Sequence, residues 1–157
     1  MSVITISPTQ VHRLLPLLHQ AHDLHVQHQP QRYAPLPESA ELVTYLSEWL
    51  CQTEVVALGY EGNQTLLGYA IYENERRAAT PFRRAETRAM LHHISVDAGH
   101  RRQGIGMALI TELRRRLLRD GGDTLATSYA TFNTASAKLM ARAGLQPVIS
   151  FAEWRAG

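Results

Sequence analysis

The sequence predicts an α/β domain (α+β by some schemes), with a mixed central sheet of about six to seven strands and about four helices around it. Three observations support this. Short β-branched or alternating runs are interleaved with longer segments of helical periodicity. A glycine turn at Gly104 and Gly106 joins a strand pattern to a helix pattern. The 157 residues, 45% of them hydrophobic, are enough for one domain over 1–157 with its own core.

The N-terminal half contains three strand patterns and two helix patterns. The strands are expected over residues 3–6, 54–60 and 65–72, and the last two form a hairpin. The helices are expected over residues 11–26 and 38–50. Ser7, Pro8 and Gln10 have the order of an N-cap, a first helical residue and a capping box. Pro16 is expected to kink or split the first helix.

The second helix is expected to bury Leu42, Tyr45, Leu46 and Trp49. Gly68, inside the hairpin, indicates a bulge or a close backbone approach.

The C-terminal half follows a polar, arginine-rich loop over residues 74–84. Strands are expected over residues 87–96, 124–129 and 145–154. Helices are expected over residues 105–119 and 133–143, and Gly144 has the position of a helix C-cap. The first of these helices is expected to turn the following side chains inward: Ile105, Leu109, Ile110, Leu113 and Leu117.

Composition excludes some classes of function. The net charge of +2 is too small to indicate nucleic-acid binding, and no apolar window approaches the ~18 residues of a membrane span. The N-terminus lacks a signal-peptide pattern, so we expect a cytoplasmic protein with no membrane or nucleic-acid partner. Cys51 is the single cysteine, which excludes an intramolecular disulfide.

Four histidines recur at every third position of the first helix pattern: His19, His22, His25 and His28. A metal site is one interpretation. A solvated helix edge is the other, and we favour it because a spacing of three drifts around the helix and no carboxylate or cysteine cluster accompanies it. We therefore expect no metal cofactor.

The glycine turn has the character of a phosphate site. Free N–H groups at a helix start, together with the helix dipole, favour an anion. The residues concerned are Arg101, Arg102, Gln103, Gly104, Ile105, Gly106 and Met107. A purely structural turn is the plainer alternative. A dinucleotide fingerprint is disfavoured because the third glycine is missing.

Two spaced motifs resemble the GNAT superfamily of acetyl-coenzyme A-dependent N-acetyltransferases. The first is Arg101-Arg102-Gln103-Gly104-Ile105-Gly106, five residues after the strand that ends at Val96. The second matches the family pattern at Asn133, Ser136, Leu139, Gly144 and Leu145. The loop TPFRRA over residues 80–85 resembles, less specifically, the polyamine and diamine acetyltransferase branch. The resemblance implies acetyl-coenzyme A (acetyl-CoA) as cosubstrate and a sheet that splays at a cofactor cleft.

The resemblance also implies a set of cofactor-binding residues. The pantetheine arm would bind backbone groups along Ile94, Ser95 and Val96, and the Val96 N–H is an oxyanion donor. The pyrophosphate would bind residues 101–107. Asn133 would contact the pantetheine portion, and Lys138 on the following helix could reach the adenosine phosphate.

His92 is the expected catalytic base, because an imidazole accepts a proton near neutral pH. It stands where polyamine acetyltransferases have a glutamate. Strand alternation predicts that only one of His92 and His93 faces the cleft unless a bulge intervenes. The family's usual tyrosine acid is replaced by Met140, so we name Tyr129 as its substitute. Reserve bases are Glu54, Glu73 and Glu86.

The expected activity is acetyl transfer to a primary amine, carried by a small molecule of unspecified identity, by direct attack in a ternary complex. Two alternatives stay open: a weakly catalytic or non-catalytic acyl-CoA sensor, favoured by Met140, and a protein N-acetyltransferase. A homodimer is possible from the resemblance.

Overall fold

The computed structural model describes all residues, 1–157, and contains one five-stranded sheet. Its strands are β1 (Ser2–Ile6), β2 (Val55–Gly62), β3 (Thr65–Arg77), β4 (Glu86–Val96) and β5 (Thr124–Thr127). They lie side by side in chain order. The pairs β1–β2, β2–β3 and β3–β4 are antiparallel, and β5 runs parallel to β4. The predicted mixed α/β sheet is therefore confirmed, with five strands rather than six or seven.

Four α-helices flank the sheet: α1 (Leu15–His28), α2 (Ser39–Leu50), α3 (Ile105–Arg119) and α4 (Thr134–Arg142). Short 3₁₀ helices cover Pro8–Leu14 and Ala98–His100. The split expected at Pro16 is present, because the 3₁₀ segment ends where α1 begins and the proline occupies the first turn of α1. The Ser7 N–H donates to Gln10 Oε1 over 3.0 Å, which forms one half of the expected capping box. No helix is long and apolar enough to cross a membrane.

Each face of the sheet has its own apolar cluster. One face packs against α3 and α4, and all five predicted inward residues of α3 are buried there. The other face packs against α1, α2 and the first 3₁₀ helix. Leu42 and Leu46 are buried on α2 as predicted, but Tyr45 is 66% exposed. Leu50 is buried at the end of that helix instead, so the apolar stripe of α2 continues through positions 42, 46 and 50.

The strand predicted over residues 145–154 is absent, and this segment has no regular structure. Its sequence has strand-like alternation, but Pro147 lacks an N–H for a ladder. The segment crosses instead to the loop between α1 and α2. There Glu153 forms ion pairs with Arg32 and Arg155, and Arg155 donates to the Gln31 carbonyl over 3.4 Å.

The loop predicted over residues 74–84 is shorter than expected, because β3 continues to Arg77 and pairs with β4 as far as Glu86. The polar side chains of this extension pair across the strands. Arg88 Nε donates to Glu75 Oε2 over 2.6 Å. Such cross-strand ion pairs let a polar sequence continue a hairpin.

The predicted splay lies between β4 and β5. Their pairing covers only Arg88 to Leu91 against Thr124 to Thr127. The rest of β4 continues to Val96 with no neighbour on that side, so the sheet opens into a gap. This gap positions the candidate site.

Candidate active site

A β-bulge in β4 sets the direction of the two adjacent histidines. Ile71 pairs with His93 and Tyr72 pairs with Leu91, so His92 is the extra residue. Both imidazoles consequently approach Trp49 on α2, with ring centroids 5.6 and 5.4 Å from the indole. The bulge is the stated exception to the expectation that only one histidine faces the cleft, and both histidines border the same cavity.

His92 is held by a carboxylate. Its Nε2 lies 3.0 Å from Glu73 Oε2, with both side chains about one-third exposed. A carboxylate only accepts, so Nε2 carries the proton and a neutral ring presents Nδ1 as an acceptor. No protein group hydrogen-bonds that Nδ1. The arrangement is an imidazole held in one tautomer beside the gap.

His93 lies deeper and has a different character. Its Nδ1 is buried without a hydrogen-bond partner. Burial, and then the charges of His92, His22 and His25, lower the pKa of His93 to about 4. The imidazole is therefore neutral at pH 7, with an unsatisfied polar atom beside the cavity.

The backbone of Ile94 and Val96 faces the gap. The Asp97 N–H donates to the Leu67 carbonyl over 2.8 Å. Hydrogen bonding alternates along an antiparallel pair, so His93 and Ser95 also bond toward β3. Ile94 and Val96 therefore present their N–H and C=O groups on the open side. Ser95 differs, because its hydroxyl donates to the Leu17 carbonyl of α1 over 3.0 Å and its side chain is not in the gap.

The turn before α3 presents a run of free donors. None of the backbone N–H groups from residue 101 to residue 107 bonds to another protein group. Gly104 begins the helix with a left-handed φ of 80°. Gly106 lies against Leu139 of α4, where a Cβ would come within 2.9 Å of the leucine side chain. The first glycine forms the turn and the second allows α3 and α4 to pack closely.

A cavity of about 590 Å³ adjoins the gap. One end lies between His92, Ile94 and residues 128–131 after β5. The other lies under α1 and the C-terminal segment, where His22, His25, Tyr33, Phe151 and Glu153 form the wall. A smaller cavity of about 80 Å³ leads on toward Asn133, Ser136 and Met140.

The structure brings some predicted residues together at this cavity and leaves others apart. Tyr129 borders both cavities and is 36% exposed. Asn133 borders the smaller one, while its Oδ1 caps α4 by accepting from the Ser136 N–H over 3.1 Å. Met140 is buried in the core and borders the smaller cavity. Lys138 is exposed on α4 and borders neither cavity.

Sequence reasoning did not identify Tyr69 as a site residue and assigned His93 and Glu73 only minor roles. Tyr69 is 1% exposed, yet it borders the larger cavity. Its strand position looks like that of any core aromatic, so no local signal distinguishes it. A regular β3–β4 register would place Glu73 opposite Leu91, whereas the bulge places it opposite Met90 and leaves His92 as the extra residue, so strand alternation does not reveal this pair.

The four histidines of the first helix pattern do not form a metal centre. No group of three or more His, Cys, Asp or Glu side chains is arranged to hold a metal ion. His25 and His28 lie within hydrogen-bond distance of carbonyls one turn earlier, at 2.8 and 2.9 Å, and His22 bonds to the Ala34 carbonyl. The rings of His22, His25 and His28 contact Tyr33 and Phe132.

The splayed mixed sheet, with a free-donor turn at one end of the gap and a held histidine at the other, defines an acyltransferase-type fold. The family model described as "Acetyltransferase (GNAT) family" matches residues 21–145. The chain therefore belongs to the GNAT acetyltransferase family. No curated protein matches the sequence.

Three solved structures share this fold at low sequence identity. The tetramutant of the BH1408 protein from Bacillus halodurans has a TM-score of 0.90 at 13% identity, over 99% of this chain and 100% of that chain. An aminoglycoside acetyltransferase, meta-AAC0020, from an uncultured soil metagenomic sample has a TM-score of 0.72 at 14% identity (99% and 96%). The ribosomal-protein-alanine N-acetyltransferase from Brucella melitensis biovar Abortus 2308 has 0.71 at 20% identity (99% and 100%). At these identities the likeness shows the fold alone.

Proposed function

We propose that this protein is an N-acetyltransferase that moves an acetyl group from acetyl-CoA to a primary amine of a small molecule, by direct attack in a ternary complex. The observation that carries the proposal is the β4–β5 gap, which joins the free-donor turn to the His92–Glu73 pair. Acetyl-CoA would supply the activated acetyl group as a thioester.

The residues of this chain fit acetyl-CoA at three places. The unpaired N–H groups of residues 101–107, at a helix start, suit a pyrophosphate. Exposed Arg101 and Arg102 add charge at that turn. Backbone groups of Ile94 and Val96 suit an amide-bearing arm in the gap. Lys138 stands on α4, outside both cavities, and remains a proposed contact to the adenosine phosphate.

The catalytic roles follow from the positions of the polar groups. His92 Nδ1 would accept a proton from the attacking amine, while Glu73 fixes the ring through Nε2. The Val96 N–H would donate to the developing oxyanion. Tyr129, at the cavity and partly exposed, would donate a proton to the leaving thiolate. Met140 cannot do so, because it has no proton to give and lies in the core.

A small acceptor fits better than a protein terminus. The C-terminal segment lies across the cavity, where Phe151 and Glu153 form part of the wall. An extended polypeptide would have to displace this segment, whereas a small amine fits beneath it. The likeness to the ribosomal-protein-alanine N-acetyltransferase therefore supports acetyl transfer to an amine, and it does not support a protein acceptor.

Release of free thiol from acetyl-CoA across a panel of primary amines tests the activity. His92→Gln should lower kcat about 100-fold or more, because the proton acceptor is lost.

Glu73→Ala should lower kcat about tenfold with the KM for acetyl-CoA unchanged, because the His92 ring loses its fixed tautomer. His12→Gln, on an exposed position, and Glu75→Ala, whose carboxylate pairs with Arg88, are the matched controls. Unchanged turnover and an unchanged pH–rate profile in His92→Gln would exclude His92 as the catalytic base.

One observation favours a second function. Met140 occupies the position of the family's usual tyrosine acid, so the protein could serve as an acyl-CoA-binding sensor. Saturable acetyl-CoA binding without thiol release on any amine would select the sensor and reject the enzyme.

A further inference from the structure

Two polar atoms on the wall of the large cavity have no protein partner. One is the hydroxyl of Tyr69, whose side chain is almost fully buried on β3 and borders the cavity. No protein group hydrogen-bonds this hydroxyl. The other is Nδ1 of His93, which is buried and unpartnered. Buried polar groups are nearly always satisfied, so the buried His93 nitrogen, beside a tyrosine hydroxyl on the cavity wall that no protein group pairs, indicates a ligand group that bonds to both.

The two orphans are neighbours on one face of the sheet. Tyr69 pairs with Ser95, and Ile71 pairs with His93, in the antiparallel register of β3 and β4. Directly paired residues point to the same face, so Tyr69 and His93 are diagonal neighbours, about 7–8 Å apart at the backbone. Both lie on the side of the sheet that packs against α1 and α2, which is the end of the cavity under α1.

Neither orphan carries a charge at neutral pH. Burial lowers the pKa of His93 to about 4 and raises the pKa of Tyr69 well above its usual range. The one carboxylate on the cavity wall, Glu153, is already paired with Arg32 and Arg155. A cationic chain would therefore find no free carboxylate in this cavity.

The remaining wall at that end is ring-rich. His22 and His25 contact Tyr33 edge to face, with ring centroids 5.9 and 5.1 Å apart, and Phe151 borders the same cavity. Such walls favour an apolar or aromatic body.

We infer that Tyr69 and His93 form an uncharged hydrogen-bonding subsite, and that the acceptor is a small amine with an apolar body and an uncharged hydroxyl group. A hydroxyl both donates and accepts, so it can satisfy His93 Nδ1 and the Tyr69 hydroxyl together. The subsite selects against polyamines, although the loop over residues 80–85 resembles the polyamine and diamine acetyltransferase branch. This inference rests on the proposed function, because it treats the cavity as the acceptor site.

Binding of three probe amines tests the subsite without requiring turnover. Tyramine, phenethylamine and spermidine are titrated by calorimetry into protein saturated with coenzyme A, which carries no acetyl group. Tyramine should bind about tenfold more tightly than phenethylamine, which lacks the hydroxyl, and spermidine should bind most weakly.

Two variants and one control test whether the preference for tyramine comes from the Tyr69 hydroxyl and His93 Nδ1. Tyr69→Phe should abolish the preference for tyramine and leave phenethylamine binding unchanged. His93→Gln should reduce the preference as well, which provides a second test should either variant fold poorly. Tyr72→Phe is the matched control, since Tyr72 is a buried tyrosine of the same strand that packs on the opposite face. It should keep the full preference.

These outcomes distinguish the proposal of a hydroxyl-binding subsite from the proposal of acetyl transfer. Equal affinities for tyramine and phenethylamine, absence of binding by both, or an equal loss in Tyr72→Phe would overturn the subsite. Thiol release from acetyl-CoA is then measured with the same amines. Acetylation without any hydroxyl preference contradicts the subsite alone, whereas hydroxyl-selective binding without thiol release supports the subsite and contradicts acetyl transfer.

Discussion

His93 ties the stability of the protein to pH. Its ring is neutral in the folded state because burial and the nearby charges of His92, His22 and His25 disfavour the imidazolium. In the unfolded chain the same ring titrates near its ordinary value of 6.5. Between pH 6.5 and pH 4 the unfolded state therefore binds a proton that the folded state does not, and acidification favours unfolding.

His93→Gln should remove this component of the pH dependence. The free energy of unfolding of the native protein is expected to fall by about 3 kcal/mol more than that of the variant between pH 7 and pH 4. The loss should level off below pH 4, where both states are protonated. Urea unfolding at a series of pH values measures the difference. Parallel curves for the two proteins would contradict the assignment of a depressed pKa to this residue.

At the residue scale, the sequence predicts which residues lie at the gap better than it predicts the direction of their side chains. His92 was selected for its side chain and for its place before Val96, and the structure places it at the gap beside Glu73. Which way each histidine points depends on one extra residue in β4, opposite the junction of Ile71 and Tyr72. A bulge of this kind is a property of two paired strands, so one strand's alternation does not contain it.

Gly104 provides a test at the scale of one element, the turn into α3. Its φ of 80° places it in the left-handed region, with open space where a Cβ would lie. Gly104→Ala should destabilise the fold by about 1 kcal/mol. It should also weaken acetyl-CoA binding about tenfold, because a turn that relaxes from this conformation redirects its free N–H groups.

Gly121 is the matched control for that substitution. It follows α3, has a φ of 81°, and likewise has open space where the alanine methyl group would lie. Gly121→Ala should therefore cost similar stability in thermal unfolding while leaving the acetyl-CoA dissociation constant unchanged in calorimetry. An equal loss of acetyl-CoA affinity in both variants would mean that the effect comes from general destabilisation and not from the geometry of the turn into α3.

At the element scale, periodicity predicts which segments are helices, whereas its strand predictions are correct only where a partner strand is available. The five inward residues of α3 follow from spacing alone. Residues 145–154 have the pattern of a strand, yet a strand also needs an edge to pair with and donors to pair through. Pro147 lacks the donor, and the ion pairs of Glu153 draw the segment toward α1 instead.

At the scale of the whole molecule, the two faces of the sheet have different tasks. The face covered by α3 and α4 supports the turn at Gly104 and the residues around Met140. The face covered by α1 and α2 carries Tyr69 and His93. The gap between β4 and β5 connects the two, because it is the one place where the sheet does not separate them. In the proposed reaction, the cosubstrate and the acceptor would therefore meet there from opposite sides.

The C-terminal segment provides the test at this scale. It contributes Phe151 and Glu153 to the cavity wall, but Val148, Ile149, Phe151 and Trp154 are each more than 80% exposed. It belongs to no strand, and it is tied to the loop after α1 by the surface ion pair of Glu153 with Arg32 and by the hydrogen bond from Arg155 to the Gln31 carbonyl, and such exposed contacts stabilise little. The segment should therefore shape the cavity more than it stabilises the fold.

Removing residues 146–157 should change the free energy of unfolding by less than about 1 kcal/mol, because little apolar surface is uncovered. The KM for the acceptor amine should rise about tenfold as one wall is lost, and hydrolysis of acetyl-CoA without an amine should increase as water enters. Urea unfolding and thiol release with and without amine measure the three quantities. Glu153→Gln, which breaks the ion pairs but keeps Phe151, should show a smaller rise in KM. A truncated protein that unfolds several kcal/mol more easily, or that keeps its acceptor KM, would show that the segment supports the core and not the cavity.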